Sequence, residues 1–179
     1  LDAADRIVQR DGPAVSMESI AAEAGITKPI LYRHFGDKGG LYAALAERHT
    51  DRLLTVLREE LSAPGTPRSR VERTVDAYLA AIETEPQVYR FLVHSDEAHG
   101  QVQSFLTGLS ALLAAGVATE LGLPRGSLRA EVWARGIVGM VQRAGDWWIE
   151  TPGATRAEVG AELTALLWGA YAAAAGAQD

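Results

Sequence analysis

Apolar residues along this chain recur at three- and four-residue steps, and no stretch alternates like a half-buried strand. The pattern predicts helix nearly throughout, punctuated by Pro and Gly. A first helix runs to about Arg10, with Ala4, Ile7 and Val8 on one side, and Asp11-Gly12-Pro13 stops it. A second begins at Ser16 as N-cap and carries Ile20, Ala21 and Ala24 inward, with Gly25 closing it. A third opens on Thr27 as N-cap, tolerates Pro29 in its first turn and ends at Gly36. Asp37 caps a fourth, which reaches about Leu61. After the loop at 62–67, helices are expected over about 68–84, 86–98, 102–121, 127–150 and 155–175, with Gly100 as a break. No internal repeat is visible. The predicted class is all-α with about nine helices.

Composition narrows the chemistry. The chain has 179 residues, 47% of them hydrophobic, enough for a sizeable core in one or two domains. There is no Cys, which excludes disulfides, thiolate nucleophiles and Cys-based zinc sites and suits a cytoplasmic protein. No apolar run reads as the roughly 18 residues of a membrane span, so no membrane partner is expected. No signal-peptide pattern opens the chain. It begins at Leu1 rather than Met, so its N-terminal domain is expected to start upstream.

The net charge of −6 argues at first against a nucleic-acid partner, but its distribution changes the picture. Residues 1–50 hold six basic and seven acidic side chains, a balance of −1 against −5 for the rest. Between Gly25 and Lys38 stand three basic residues, His34 and one acid. A small basic patch acts locally, because salt screens charge over about 10 Å.

The stretch from Met17 to Phe35 carries the informative chemistry. Two helices crossing steeply need a small residue at their closest approach, and Ala21 supplies it. A three-residue turn needs one residue that tolerates positive φ, and Gly25 supplies that. Ile26, Leu31 and Phe35 then join Ile20 in a small core. Thr27, Lys28, Tyr32 and Arg33 remain outward, a basic face on a short helix of the shape that enters a major groove.

Ile26-Thr27-Lys28-Pro29-Ile30-Leu31-Tyr32-Arg33-His34-Phe35-Gly36-Asp37-Lys38, followed by Leu41-Tyr42-Ala43-Ala44-Leu45, resembles the recognition-helix signature of the TetR family of bacterial repressors. Val15 to Gly25 is similar to that family's second helix. The resemblance covers about residues 4–46; the rest matches only in layout. It implies an N-terminal three-helix helix-turn-helix DNA-binding domain at 1–46 and a helical effector-binding and dimerisation domain at 47–179. It also implies roles. Thr27 and Lys28 match the N-terminal end of the recognition helix, where Lys28 reaches a base edge, best guanine O6/N7, for about 1–3 kcal/mol of discrimination. Tyr32 and His34 match phosphate-touching positions. Lys38 matches the phosphate-binding residue that opens the fourth helix. Arg33 is left open between base and phosphate, and Ser16 between cap alone and cap plus phosphate. Pro29 completes the DNA-binding set.

The chain departs from the family at Gly39-Gly40, where an acidic or helix-favouring residue often follows the Lys. Each Gly costs about 1 kcal/mol against Ala inside a helix, so either the first turn is soft or the irregularity is a tolerated terminal one.

Beyond residue 47 no catalytic constellation is visible. His94 and His99 are five apart, a poor spacing for metal ligands, so no metal or cofactor is expected. In the helix over 127–150, Trp133, Ile137, Met140, Ala144 and Trp147 give one apolar face, opposite Glu131, Arg135, Gln142 and Asp146. In the last helix Leu163, Leu166, Leu167, Ala170, Tyr171 and Ala174 form a broad stripe. Gly136, Gly139, Gly160 and Gly169 allow close approach. These two helices are the expected homodimer interface. Tyr78, Tyr89, Phe91, Phe105, Met140 and Trp147 are candidates either for lining an effector cavity or for ordinary core.

The expectation is a non-enzymatic, ligand-responsive regulator. It would bind a palindromic double-stranded DNA operator as a homodimer, repress, and be released by a small lipophilic effector. The alternative is a small helical binding protein or enzyme for lipophilic compounds whose helix-turn-helix is vestigial.

Overall fold

The computed structural model describes residues 1–176, and among them the chain is helical with no strand. Nine α-helices follow in order: α1 Asp2–Asp11, α2 Met17–Glu23, α3 Lys28–Phe35, α4 Lys38–Ser62, α5 Pro67–Thr84, α6 Pro86–His94, α7 His99–Glu120, α8 Leu128–Glu150 and α9 Arg156–Gly176. A short 3-10 turn, Asp96–Ala98, joins α6 to α7. Gly100 does not break the chain as expected, since it lies inside the first turn of α7. A helix terminus tolerates Gly, and nothing crowds this one.

Two compact units divide the chain: Leu1–Leu53 with Thr84–Phe105, and Leu54–Glu83 with the chain from Leu106 on. The first unit is larger than the predicted 1–46 segment because its core needs α6. Ala4, Ile7 and Val8 of α1, Ile20 and Ala21 of α2, Leu31 of α3 and Leu41, Tyr42 and Leu45 of α4 close around Phe91, which is fully buried. The Tyr42 ring meets Phe91 edge-on at 5.1 Å between centroids, a favoured aromatic geometry. Its hydroxyl donates to the Pro13 carbonyl at 2.7 Å, tying the α1–α2 loop to α4. Burial pushes the Tyr42 phenol up to about 12.

A buried polar cluster completes the first unit. The His49 imidazole, with only 3% of its side chain exposed, donates from Nε2 to Asp5 of α1 at 2.9 Å. Its Nδ1 stands 3.3 Å from Arg52 Nη2 and 3.6 Å from the Glu85 carboxylate, which Arg52 also pairs.

In the second unit, α8 buries Ala130, Ala134, Val138, Gly145 and Trp148, a different seam from the predicted face. The reason is size. A Cβ on Gly145 would stand 2.8 Å from Ile82 Cδ1 and 3.1 Å from Tyr78 Cε1, so α8 meets α5 through small residues. The predicted stripe stays outside or half-buried, with Trp147 55% and Met140 36% exposed. The stripe of α9 splits likewise: Leu163 and Ala174 are buried, whereas Leu166 is 59% exposed. Of the four glycines expected at close approaches, only Gly160 meets a neighbour, Leu79 at 3.7 Å.

The reading that no apolar stretch reaches the length of a membrane span needs correction. An 18-residue window within Asp96–Glu120 has a mean hydropathy of 1.5, so this helix is long and apolar enough to cross a bilayer by length and composition. Interspersed Gly, Ser and Thr hide this from a search for unbroken apolar runs. One face of this helix, through Phe105, Leu109, Ala114 and Ala118, is packed inside the protein.

Candidate nucleic-acid interface

The turn between α2 and α3 is built by backbone chemistry. Ile26 N–H donates to the Ala21 carbonyl at 3.0 Å and Gly25 N–H to the Ala22 carbonyl at 3.1 Å, the paired bonds of a Schellman cap. Gly25 takes φ 66°, which an L side chain rarely adopts. Ala24 is exposed, contrary to expectation, because it is the C-cap residue beside that turn and no longer on the inner face. Ser16 caps α2, its Oγ accepting from Ser19 N–H at 3.1 Å. Thr27 occupies the cap position of α3, yet its hydroxyl makes no cap bond.

The short helix α3 buries Leu31 alone, with Ile26 and Phe35 packing partly against the head core. Thr27, Lys28, Pro29, Tyr32, Arg33 and His34 are all exposed, Tyr32 to 44%. Fold position therefore agrees with the expected outward set. Lys28 carries a partner that sequence spacing does not reveal: its Nζ donates to Glu18 of α2 at 2.8 Å. The hydrogen bond and charge of Lys28 hold the Glu18 carboxyl below its usual range, and Glu18 raises the Lys28 amine in return.

The corner from α3 to α4 is tight. Gly36 turns with φ 77°, and the Asp37 carboxylate accepts from Gly40 N–H at 2.8 Å. A Cβ on Gly40 would stand 2.0 Å from the Phe35 carbonyl oxygen, so this glycine is demanded by backbone contact. Gly39 is different, since a Cβ there would meet side chains and no backbone, the nearest atom being Asp37 Oδ1 at 3.2 Å. Lys38 is half-buried, with its ammonium 4.8 Å above the Tyr42 ring.

The six pocket candidates do not gather in one unit. Tyr89, Phe91 and Phe105 belong to the first, and Phe91 fills the head core rather than lining a cavity of the second. Tyr78, Met140 and Trp147 belong to the second, and the last two are exposed. His94 uses its Nδ1 against the Arg90 carbonyl, one turn back on α6.

Comparison with known proteins gives a consistent answer. Residues 1–45 match the family described as "Bacterial regulatory proteins, tetR family", and residues 56–179 match "Tetracyclin repressor-like, C-terminal domain". The chain is 37% identical over 94 residues to the HTH-type transcriptional activator FasR of Mycolicibacterium smegmatis, covering 52% of this chain and 43% of that protein. It is 30% identical over 176 residues to an uncharacterized HTH-type transcriptional regulator of Mycobacterium tuberculosis, covering 95% of this chain and 74% of that one. In fold it is similar to a tetR-family regulator from Streptomyces coelicolor, with TM-score 0.77, 23% identity and coverage of 96% and 82%. It is also similar to FadR from Bacillus subtilis, solved in complex with stearoyl-CoA, with TM-score 0.70, 15% identity and coverage of 93% and 94%.

Proposed function

Because the chain belongs to the TetR family of bacterial transcription regulators, we propose that it works as a homodimeric repressor, binding a palindromic operator and released by a lipophilic small molecule. The observation that carries this reading is α3, an eight-residue helix that buries one residue and exposes Thr27, Lys28, Tyr32, Arg33 and His34. Lys28 reads a base edge. Tyr32, His34 and Lys38 bind phosphates, Arg33 serves one or the other, and Ser16 adds a backbone contact beside its capping role. The functional division runs near residue 46, with α6 supplying packing to the head and the remainder up to 176 serving effector and dimer; 177–179 lie outside the described residues.

The homodimer is supported by the outward apolar groups of α8 and α9. Leu128 is 79% exposed, Val132 58%, Trp147 55% and Leu166 59%. Gly136 and Gly139 lie between the α8 groups with open space around them. Large apolar groups left in water at helical spacing mark a surface made for another protein, and two copies of it suit a two-fold pair. Two recognition helices would then face half-sites about 34–36 Å apart.

The effector class rests on the apolar interior of the second unit and on FadR, whose complex holds stearoyl-CoA. An acyl chain or its thioester is the class proposed. It acts by binding two states of the dimer with unequal affinity, which shifts their populations. A second reading, activation, is favoured by the naming of FasR as an activator.

The test begins with selection of a duplex from a random pool by the protein, followed by gel-shift across salt with and without fatty acids and acyl-CoA. Palindromic selection, salt-dependent binding and release by a long-chain ligand are expected. A reporter carrying that duplex assigns the sign of control. Binding with no salt dependence would overturn the operator assignment.

A further inference from the structure

Resting on the operator reading above, we propose that Glu18 is a specificity-determining residue: it cancels the charge of Lys28 on non-cognate DNA and leaves that amine its hydrogen-bonding capacity for a base. Three basic side chains stand on the reading segment, and they differ in company. Arg33 carries no ion-pair partner among the described residues, and Lys38 lies over the Tyr42 ring. Lys28 alone of the three is paired to a carboxylate, at 2.8 Å and across two helices.

Non-specific binding to a duplex counts net charges. Each phosphate neutralised by an added cation steepens the dependence of affinity on salt by about 0.9. An ammonium in contact with a carboxylate presents a small dipole in place of a monopole, so Lys28 adds little to that count. A base edge asks something different. The ammonium has three N–H donors and Glu18 occupies one, leaving two for acceptors such as guanine O6 and N7. One pair therefore weakens the wrong complex while leaving the right one its contact.

The experiment uses the full chain, the duplex selected by the wild-type protein and a shuffled duplex of equal length. Glu18→Gln keeps size and an acceptor and removes the charge. Its affinity for shuffled duplex should rise about three- to tenfold near 0.1 M salt, with a salt slope steeper by about one. Affinity for the selected duplex should change less, so the ratio falls. With Lys28→Ala already in place, Glu18→Gln should raise both affinities by a similar factor and leave their ratio in place, because no lysine charge is then released. That background also absorbs any effect of Glu18 on α2 itself. An equal fall in that ratio with and without Lys28 would overturn the proposal, as would an unchanged ratio and slope in the single variant. Wild-type protein that binds no duplex in a salt-dependent way would overturn the operator reading itself, a result distinct from wild-type binding with an unmoved ratio.

Discussion

The two units present opposite surfaces. The first puts hydrocarbon inside and charge outside: on α3, Leu31 is buried while Lys28, Tyr32, Arg33 and His34 face water. The second does so only in part. On α8 the small residues Ala130, Ala134 and Gly145 turn inward, and Leu128, Val132, Met140 and Trp147 stay outside. Most large apolar residues of the first unit thus go to its core, whereas several on α8 are prospective contacts with another molecule. The inward seam of α8 is closed by three small residues with Val138 and Trp148, and the remaining large apolar groups are left for something else.

The sharpest way to break this comparison is to truncate one residue of each kind. Phe91→Ala should cost the first unit about 3–5 kcal/mol, read by urea unfolding followed by far-UV circular dichroism, because a fully buried ring leaves a cavity. A loss below about 1 kcal/mol would mean that Phe91 is not the centre of that core. The outward counterpart is Val132→Asp. It should leave monomer unfolding nearly unchanged and weaken self-association by about 30-fold or more, roughly 2 kcal/mol, in sedimentation velocity. An unaltered dimer would move the interface elsewhere.

Next in size is the glycine pair. Gly40→Ala should destabilise by about 1–3 kcal/mol despite the better helix former, since its Cβ meets a carbonyl oxygen. Gly39→Ala should stabilise by up to about 1 kcal/mol, because only side chains lie nearby. Thermal unfolding of both variants decides whether the two adjacent glycines are one soft spot or two different residues. Smaller still is Lys38→Ala, expected to flatten the salt slope of duplex binding by about one unit with the fold intact. Equal slopes would remove Lys38 from the phosphate contacts.

The weakest effect concerns pH. The Tyr42 phenol is raised in the folded state to about 12 against an ordinary value near 10. Its contribution is therefore fully present below pH 10 and is lost as pH rises through 12. Tyr42→Phe should flatten the alkaline limb of the stability curve, measured by chemical denaturation at pH 9 to 12. An identical limb in the variant would assign that loss to other groups.

The helices, the turn at Gly25 and the outward set of α3 were legible in the sequence, because each is decided by residues within one or two turns of each other. What escaped is decided at a distance or by shape. Phe91 lies more than fifty residues beyond the recognition helix whose core it fills, and nothing near it marks that destination. Glu18 and Lys28 are ten apart on two helices, and their pairing exists only once the turn has folded. On α8 the buried seam mixes Ala130, Ala134 and Gly145 with Val138 and Trp148, so the periodicity of the large apolar residues points to the face beside it. Gly40 looked like a cost in helix propensity until the Phe35 carbonyl beside it came into view.

His49 has a consequence of its own. One imidazole, riding on α4, holds α1 through Asp5, and Arg52 beside it on α4 pairs Glu85 at the entry to α6. The first helix cannot slide along α4 without stranding the buried His49 N–H, at about 1–3 kcal/mol. Whatever moves the segment at Glu85 therefore reaches the first helix only through Arg52 and then His49, or parts the contacts between them.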